Sequence, residues 1–407
     1  MPIALEASDG DTGTRQVRSY EAERGDWTIA ELCRRYGISR QTGYYWIRRF
    51  KEEGLDGLKT CSRRPHRSPQ ATDPAVVQLL LEERGRHEKW GPKKLLKRLA
   101  RRHPGLKLPA RSTAAGILKR HGKVKARRGR RGSAPAGGTG LGEAEAPNAL
   151  WTVDYKGEFR LGNGHWCYPL TLLDGHTRYL LDCRGRSSVR TEEARPVFEA
   201  AFREYGLPDR IGSDNGSPFA SRALGGLSRL SVWWLKLGIG MERIEPGHPE
   251  QNGSHERMHR TLDEEGIPRH PPCPNEGTQQ ATFDRFRTEY HEDRPHEAID
   301  LCYPADLYAP SWRPYPEETP GLDYPAHFER RQVRHDGLIK WKGHLVFVSE
   351  VLRGEPVGLE EVEDRIWALH FGPLMLGHLI NGERRVSPGA PSRGLASSPP
   401  HAEETEV

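Results

Sequence analysis

A chain of 407 residues is too long for one ordinary hydrophobic core and is expected to divide into about two to four domains. Charged residues make up 29% of it, the mean hydropathy is -0.77, and no apolar run approaches the roughly 20 residues of a membrane span, so a membrane partner is not expected. The net charge is only +6, but lysine and arginine crowd positions 84–131, which points to a polyanion as partner. A basic run by itself is commonly a solvated face or a flexible arm, so the rest of the chain must decide.

The six cysteines, Cys33, Cys61, Cys167, Cys183, Cys273 and Cys302, lie far apart with no C-x-x-C pair. Neither a disulfide framework nor a cysteine zinc site is signalled, and they are expected to be buried small hydrophobes in a reducing compartment. The start, Met1-Pro2-Ile3-Ala4-Leu5-Glu6, lacks the basic and then apolar signature of a secretory signal, so export is not expected.

In chain order, Ile29, Leu32, Cys33 and Tyr36 fall at the spacing of an amphipathic helix that Gly37 ends. Ser39 can cap a second helix from about Arg40 to Glu53, with Trp46, Ile47 and Phe50 on one side. Helix, glycine turn and helix make a helix-turn-helix, assigned here to residues 1–60. Such a motif lays the start of its second helix in the major groove, which nominates Arg40, Gln41 and Tyr44 as DNA contacts. A second unit of the same kind is expected over residues 70–122. It opens on the apolar run after Asp73, continues through a helix begun by Pro92 with Leu95, Leu96 and Leu99 buried, and ends in a helix that Ser112 would cap. Lys93 and Lys94 on its Pro92 helix are further candidate DNA contacts. Residues 123–149, basic and then rich in Gly, Ala, Ser and Pro, read as a flexible linker.

From Trp151 the pattern changes to strands. Segments at 150–161, 166–173 and 177–183 are rich in β-branched and aromatic residues and separated by turn material such as Gly162-Asn163-Gly164 and Asp174-Gly175. A helix from Thr191 to Tyr205 follows, then a short strand at Arg210 to Ser213, a helical region at 224–237, a short segment at Met241 to Ile244, and a helix from Gln251 to Glu265. Three antiparallel strands and then alternating helices and strands is the order of a ribonuclease-H-like domain, placed at residues 150–312.

Asp154 interrupts the first strand, and burying an unpaired carboxylate is costly, so it needs a partner or a metal. Asp214 stands just past a later strand in Ser213-Asp214-Asn215-Gly216, which alone would read as a turn. Glu256 follows the Gly/Pro-rich segment from Pro246 to Gly253, on a helix face that it is expected to share with His259 and Arg260, opposite Met258 and Leu262. Glu250, before the glycine break, is the competing carboxylate and reads as a loop residue. Asp154, Asp214 and Glu256 together would form a hard, all-oxygen site for Mg²⁺ or Mn²⁺, with room for two ions serving an in-line phosphodiester displacement.

The strings Trp-Thr-Val-Asp-Tyr-Lys-Gly at 151, Ser-Asp-Asn-Gly-Ser-Pro-Phe at 213 and His-Pro-Glu-Gln-Asn-Gly-Ser-His-Glu-Arg-Met-His-Arg-Thr-Leu at 248 resemble the three catalytic blocks of insertion-sequence transposases with a retroviral-integrase-type core. The resemblance covers nearly the whole chain, because that group also carries N-terminal helix-turn-helix modules. It implies catalytic and metal-binding roles for Asp154, Asp214 and Glu256, and metal-dependent cleavage at terminal inverted repeats followed by transfer of the 3′-hydroxyl to target DNA. Double-stranded DNA is then the partner, a dimer or larger homo-oligomer is implied by pairing of two ends, and the bacterial cytoplasm, at the nucleoid, is the expected location. A non-catalytic, domesticated DNA-binding repressor and a simple nuclease are the rival readings, which the intact triad and the paired helix-turn-helix units respectively oppose.

Two departures stand out. Between Asp214 and Glu256 lie 41 residues, a longer spacing than is usual in this group, with the surplus expected near 224–237 as an inserted loop. Seven residues after Glu256, where relatives tend to carry a basic side chain, stands Asp263, so that Arg257 or Arg260 is left to meet the phosphate. The segment Tyr290-His291-Glu292-Asp293-Arg294-Pro295-His296 reads as structural, although its histidines and acids could suggest another metal site. Beyond the Pro-rich stretch at 310–320, a hairpin at 337–348 and strands at 358–361 and 365–371 are expected to form a small β-barrel over residues 323–385. It would serve DNA contact or self-association, or have no ligand at all. The remaining 386–407 are expected to be a disordered tail.

Overall fold

The computed structural model describes residues 21–22, 24–59, 71–124, 142, 144–245, 248–268 and 270–388. Most of the expected linker and tail, together with Cys61, lies outside the described residues. The chain divides into two compact units, residues 1–72 and 73–407.

The first unit contains α1 (Ile29–Arg35) and α2 (Arg40–Glu53). Both begin at side chains that accept orphan amide protons: Thr28 takes the Glu31 N–H in a capping box, and Ser39 Oγ takes the Thr42 N–H at 3.1 Å. The two helices meet at Gly43, where a Cβ would stand 2.5 Å from Cys33 Sγ, so only glycine permits this approach. The opposite face of α2 leaves Arg40, Gln41 and Tyr44 exposed.

Three helices open the second unit: α3 (Pro74–Arg86), α4 (Pro92–Arg102) and α5 (Arg111–Arg120). They close on Leu80, Leu95, Leu99, Ala114, Ile117 and Leu118. Ser112 is not the cap of α5, as the sequence suggested. The helix has already begun at Arg111, and the capping position belongs to Ala110, which offers no side-chain acceptor.

The central sheet consists of β1 (Trp151–Tyr155), β2 (Phe159–Arg160), β3 (Trp166–Asp174), β4 (Leu180–Arg186), β5 (Arg210–Ser213) and β6 (Gly240–Arg243). Its order is β2-β3-β1-β5-β6, with β4 also on β3. The pairs β1/β3 and β3/β4 are antiparallel, whereas β1/β5 and β5/β6 are parallel, the arrangement of a ribonuclease-H-like sheet. Strand alternation sorts its side chains. Trp151, Val153, Leu170 and Leu172 face α6 (Thr191–Tyr205) and α7 (Arg229–Lys236), which supply Val197, Phe198, Phe202, Leu230 and Trp234 to one core. On the other face Leu173, Leu180 and Cys183 meet Met258 and Leu262 of α8 (Gly253–Glu265) and Phe283 and Phe286 of α9 (Glu276–Thr288).

The C-terminal part is β-structure but not a barrel. It holds β7 (Glu329–Gln332), β8 (Leu338–Trp341), β9 (His344–Phe347), β10 (Pro356–Glu363), β11 (Ile366–Phe371), β12 (Leu374–Ile380) and β13 (Ser387–Pro388). Five strands form an open sheet in the order β13-β12-β11-β10-β7, and β8 and β9 pair with each other, with one isolated parallel bridge from Phe347 of β9 to Arg385. Among the described residues nothing pairs the outer strands β7 and β13, so the expected closure is absent. This part shares a core with the central domain. Val232 and Leu235 of α7, with Leu227 just before it, join Val357, Leu359, Leu369 and Phe371, and Lys236 pairs with Glu355 at 2.9 Å.

The segment after α9 is structural. A π-helical turn, Glu289–Asp293, puts the His291 ring 3.8 Å from the Tyr179 ring in a stack, with Nε2 within 3.0 Å of the Leu180 backbone. His296 Nε2 reaches Tyr290 O at 3.0 Å. Burial pushes both imidazoles down to about 3, so both are neutral in the folded protein. The stability they contribute is therefore complete above their unfolded value near 6.5 and is lost as pH falls toward 3. Unfolding free energy should decline below pH 6.5 by up to about 1.4 kcal/mol per pH unit for each histidine. His291→Asn should flatten that decline, and urea midpoints that do not change between pH 7 and pH 5 would contradict the assignment.

Candidate active site

Asp154 lies on the face of β1 that alternation turns away from the Trp151 and Val153 core, toward α8. Its register partner is Thr171 of β3. A second carboxylate, Asp174 at the end of β3, shows by contrast what a structural aspartate requires. Asp174 accepts the Asn148 and Thr177 N–H groups at 2.8 Å and the Thr177 hydroxyl at 2.6 Å, and it holds the β3–β4 turn. Asp154 has far less. Burial, and then the negative charges of Asp214 and Glu256, push its carboxyl up to about 7, against which the Tyr155 amide and the Lys156 ammonium are too weak.

Asp214 emerges one residue past β5, the strand parallel to β1, and its Oδ1 accepts the Gly216 N–H at 3.1 Å in the turn that the sequence suggested. Glu256 is exposed in the first turn of α8. Three carboxylates from a central strand, its parallel neighbour and a crossing helix thus act on one another electrostatically. Among the described residues no three His, Cys, Asp or Glu side chains are gathered tightly enough to hold a metal ion as they stand. The donors nevertheless fit one, because an uncompensated cluster of hard oxygens is relieved by a dication. Pro246 and Gly247 lie outside the described residues, as does the side chain of Glu250.

His259 does not share the exposed face of Glu256, contrary to the sequence reading. His255, Met258, His259 and Leu262 are all buried and form the stripe by which α8 packs on the sheet. His255 Nδ1 lies 2.8 Å from Thr152 Oγ1, and the Nε2 atoms of His255 and His259 each lie 2.7 Å from Thr171 Oγ1. The spacing 255, 258, 259, 262 carried this signal, but two of its members are polar and were not counted as core. Asp263 lies 3.8 Å from Lys156 Nζ, so a cation stands beside the position where relatives carry one, brought from the end of β1 rather than from the helix. Lys156 was quoted in the first motif but not singled out.

Arg257 and Arg260 are exposed on α8, Lys93 is half-buried, and Arg111, Ser112, Thr113, Lys119 and Arg120 are exposed on α5. Lys94 is also half-buried, and desolvation, with Arg294 nearby, lowers its ammonium to about 8. Other cations of α4 are engaged by the core: Arg98 and Arg102 lie 3.3 and 3.5 Å from Asp293, and Arg101 grips Asp306 with two bonds of 3.1 Å.

Two models of an integrase core domain match residues 144–249 and 237–304, the first spanning Asp154 and Asp214 and the second Glu256. Two models of a homeodomain-like domain match residues 16–59 and 42–118. An insertion element IS476 protein of Xanthomonas euvesicatoria is 25% identical over 72% of this chain and 81% of its own length. An insertion element IS407 protein of Burkholderia multivorans is 27% identical over 40% of this chain, an alignment that spans 56% of that relative. The catalytic core domain of HTLV-2 integrase, solved in complex with magnesium, aligns with 40% of the chain and 98% of its own, at 14% identity and a TM-score of 0.33. The chain therefore carries an integrase-type catalytic core behind homeodomain-like helix-turn-helix domains. Its similarity to the two insertion-element proteins supports reading it as an insertion-sequence transposase with a retroviral-integrase-type core.

A carboxyl raised to about 7 favours the metal-free fold below its unfolded value near 4, and that contribution is lost as pH rises through 7. Asp154→Asn should therefore stabilise the metal-free protein at pH 8, on the order of a few kcal/mol, and change little at pH 4.5. Thermal melts in EDTA at the two pH values measure this, and a variant less stable than wild type at pH 8 would count against an uncompensated charge.

Proposed function

We propose that this chain is a DNA transposase that cleaves the ends of a mobile element and joins their 3′-hydroxyls to target DNA. The observation that carries the reading is the electrostatic convergence of Asp154, Asp214 and Glu256 on a ribonuclease-H-like sheet, in a chain that also bears helix-turn-helix domains. Double-stranded DNA is the substrate class, with the element's terminal repeats and the target as its two forms. A homo-oligomer able to hold two ends is the working assembly, and the reading implies action at the bacterial nucleoid, in the cytoplasm.

Asp154, Asp214 and Glu256 would hold Mg²⁺ or Mn²⁺, two ions by the logic of in-line transfer, and the metal would supply Lewis-acid polarisation of the phosphate and an activated attacking oxygen. Lys156 and the exposed Arg257 and Arg260 provide positive charge where the phosphodiester backbone must lie. They hold the strand and offset charge developing on the phosphate. The rigid sheet fixes Asp154 and Asp214, while α8, packed on that sheet, presents Glu256 exposed in its first turn. Arg40, Gln41 and Tyr44 read or grip the end sequence from α2, and Lys93 and Lys94 are secondary DNA contacts of the second helix-turn-helix.

With Mg²⁺ or Mn²⁺ and DNA carrying the element's ends, the purified protein should nick and join strands. Asp154→Asn, Asp214→Asn and Glu256→Gln should each remove at least about 10³-fold of the rate while end binding is retained. Tight end binding without cleavage in either metal would sink the enzymatic reading and favour a repressor, and cleavage without joining would make the protein a nuclease. Arg40→Ala should weaken binding to end DNA by about 1 to 3 kcal/mol if it contacts a base, and more for the specific site than for random DNA. An equal loss on both DNAs, measured by anisotropy titration, would make it a phosphate contact instead.

A further inference from the structure

The strongest unassigned feature is the buried polar chain beneath the triad. Thr171, with no solvent exposure, lies in the middle of β3, flanked along the strand by Leu170 and Leu172. Its hydroxyl donates to Asp154 O at 3.0 Å. With that proton committed, both imidazole Nε2 groups at 2.7 Å must donate to the oxygen's two lone pairs. His255 then carries its proton on Nε2, and its Nδ1 lies 2.8 Å from Thr152 Oγ1, whose hydroxyl also reaches Leu173 O at 3.4 Å. His259 likewise is protonated on Nε2, which leaves its Nδ1 lone pair 3.7 Å from Asp154 Oδ2.

We propose that Thr171, acting through His255 and His259, is a positioning residue of the acidic site: it sets the register of α8 on the sheet, so that Glu256 is delivered to Asp154. Apolar packing of Met258 and Leu262 alone would tolerate sliding and rotation of the helix, because dispersion has no preferred direction. Hydrogen bonds from one hydroxyl to two imidazoles one turn apart do not tolerate it, since a shift of the helix leaves buried donors unpaired. Glu256 lies between those two histidines in sequence and is carried with them. The same chain presents only a lone pair to the Asp154 carboxylate, so the protein gives it no donor from this side and leaves it to a cation.

This inference rests on reading the triad as a metal-dependent site, and the experiment separates the two. Thr171→Val keeps the shape and removes the hydroxyl; Thr171→Ser keeps the hydroxyl. Mn²⁺ affinity is measured by calorimetry or by the free-ion electron paramagnetic resonance signal, alongside kcat and KM for cleavage of end DNA by the full chain. Thr171→Val should weaken Mn²⁺ binding about tenfold or more and lower kcat at least as far, with KM for DNA within about twofold, and Thr171→Ser should recover both to within about threefold. If Thr171→Val binds Mn²⁺ and cleaves like wild type, or if Thr171→Ser fails as badly as valine, the positioning role is wrong. Should Thr171→Val not fold, as read by its thermal melt, His259→Leu carries the same comparison, and wild-type Mn²⁺ affinity and kcat in that variant overturn the proposal. Wild-type protein that neither binds Mn²⁺ nor cuts would instead overturn the transposase reading itself.

Discussion

The structure is organised around one uncomfortable charge. A carboxylate inside a sheet costs several kcal/mol unless donors or opposite charges meet it. Asp174, three register steps from the Asp154 pair on the same two strands, meets that demand with three donors, two from Thr177 of its own turn and one from the Asn148 amide. Asp154 meets it with almost nothing, and the negative charges of two further acids bear on it. Proteins rarely keep such an arrangement for stability, and the difference between the two aspartates separates a turn from a site.

What holds that charge in place is the rigidity of everything around it. The sheet clamps Asp154 between β3 and β5, and α8 is fixed through its own buried stripe rather than through its exposed acids. The segment between Asp214 and Glu256 belongs to this framework too. It is not slack loop: α7 buries Leu230 and Trp234 against the sheet on one side, and Val232 and Leu235 in the C-terminal core on the other. Gly226, at φ +67° with the Arg243 guanidinium donating to its carbonyl at 2.7 Å, makes the sharp turn that sets α7 between them. The helix α7 thus ties the C-terminal sheet to the central domain.

Much of this was legible in the sequence, for identifiable reasons. The limits of α2 and α6 and the Pro92 start of α4 follow from local signals, caps and 3.6-residue periodicity, whereas the three blocks around Asp154, Asp214 and Glu256 were legible only through their resemblance to a known family. What could not be read depends on contacts between distant segments. His259 lies one turn from Glu256, and only the crossing of α8 over β3 decides that it is buried. Alternation predicted strands in the C-terminal part, but whether a sheet closes is decided by pairing of its outer strands, and β7, β12 and β13 carried too weak a pattern to be seen. The cation beside Asp263 was invisible for the same reason, since Lys156 is more than a hundred residues away in the chain.

The basic stretch at 84–131 shows how far composition misleads without topology. Its charges looked like one footprint for a polyanion, yet part of them is spent inside the second unit. Arg98 lies 3.2 Å from the buried Glu83 and 3.3 Å from Asp293, Arg101 holds Asp306, and Lys89 lies 3.2 Å from Glu264 at the far end of α8. Exposed pairs of this kind are each worth under about 1 kcal/mol, but the buried Glu83 and Arg98 pair would cost several if one partner were lost. These contacts lock α4 against the catalytic core and turn the remaining cations outward, onto α5 and its exposed Arg111, Lys119 and Arg120. Among the described residues the charge available to DNA is therefore smaller than the sequence total and includes Arg111, Lys119 and Arg120 on the third helix of the module.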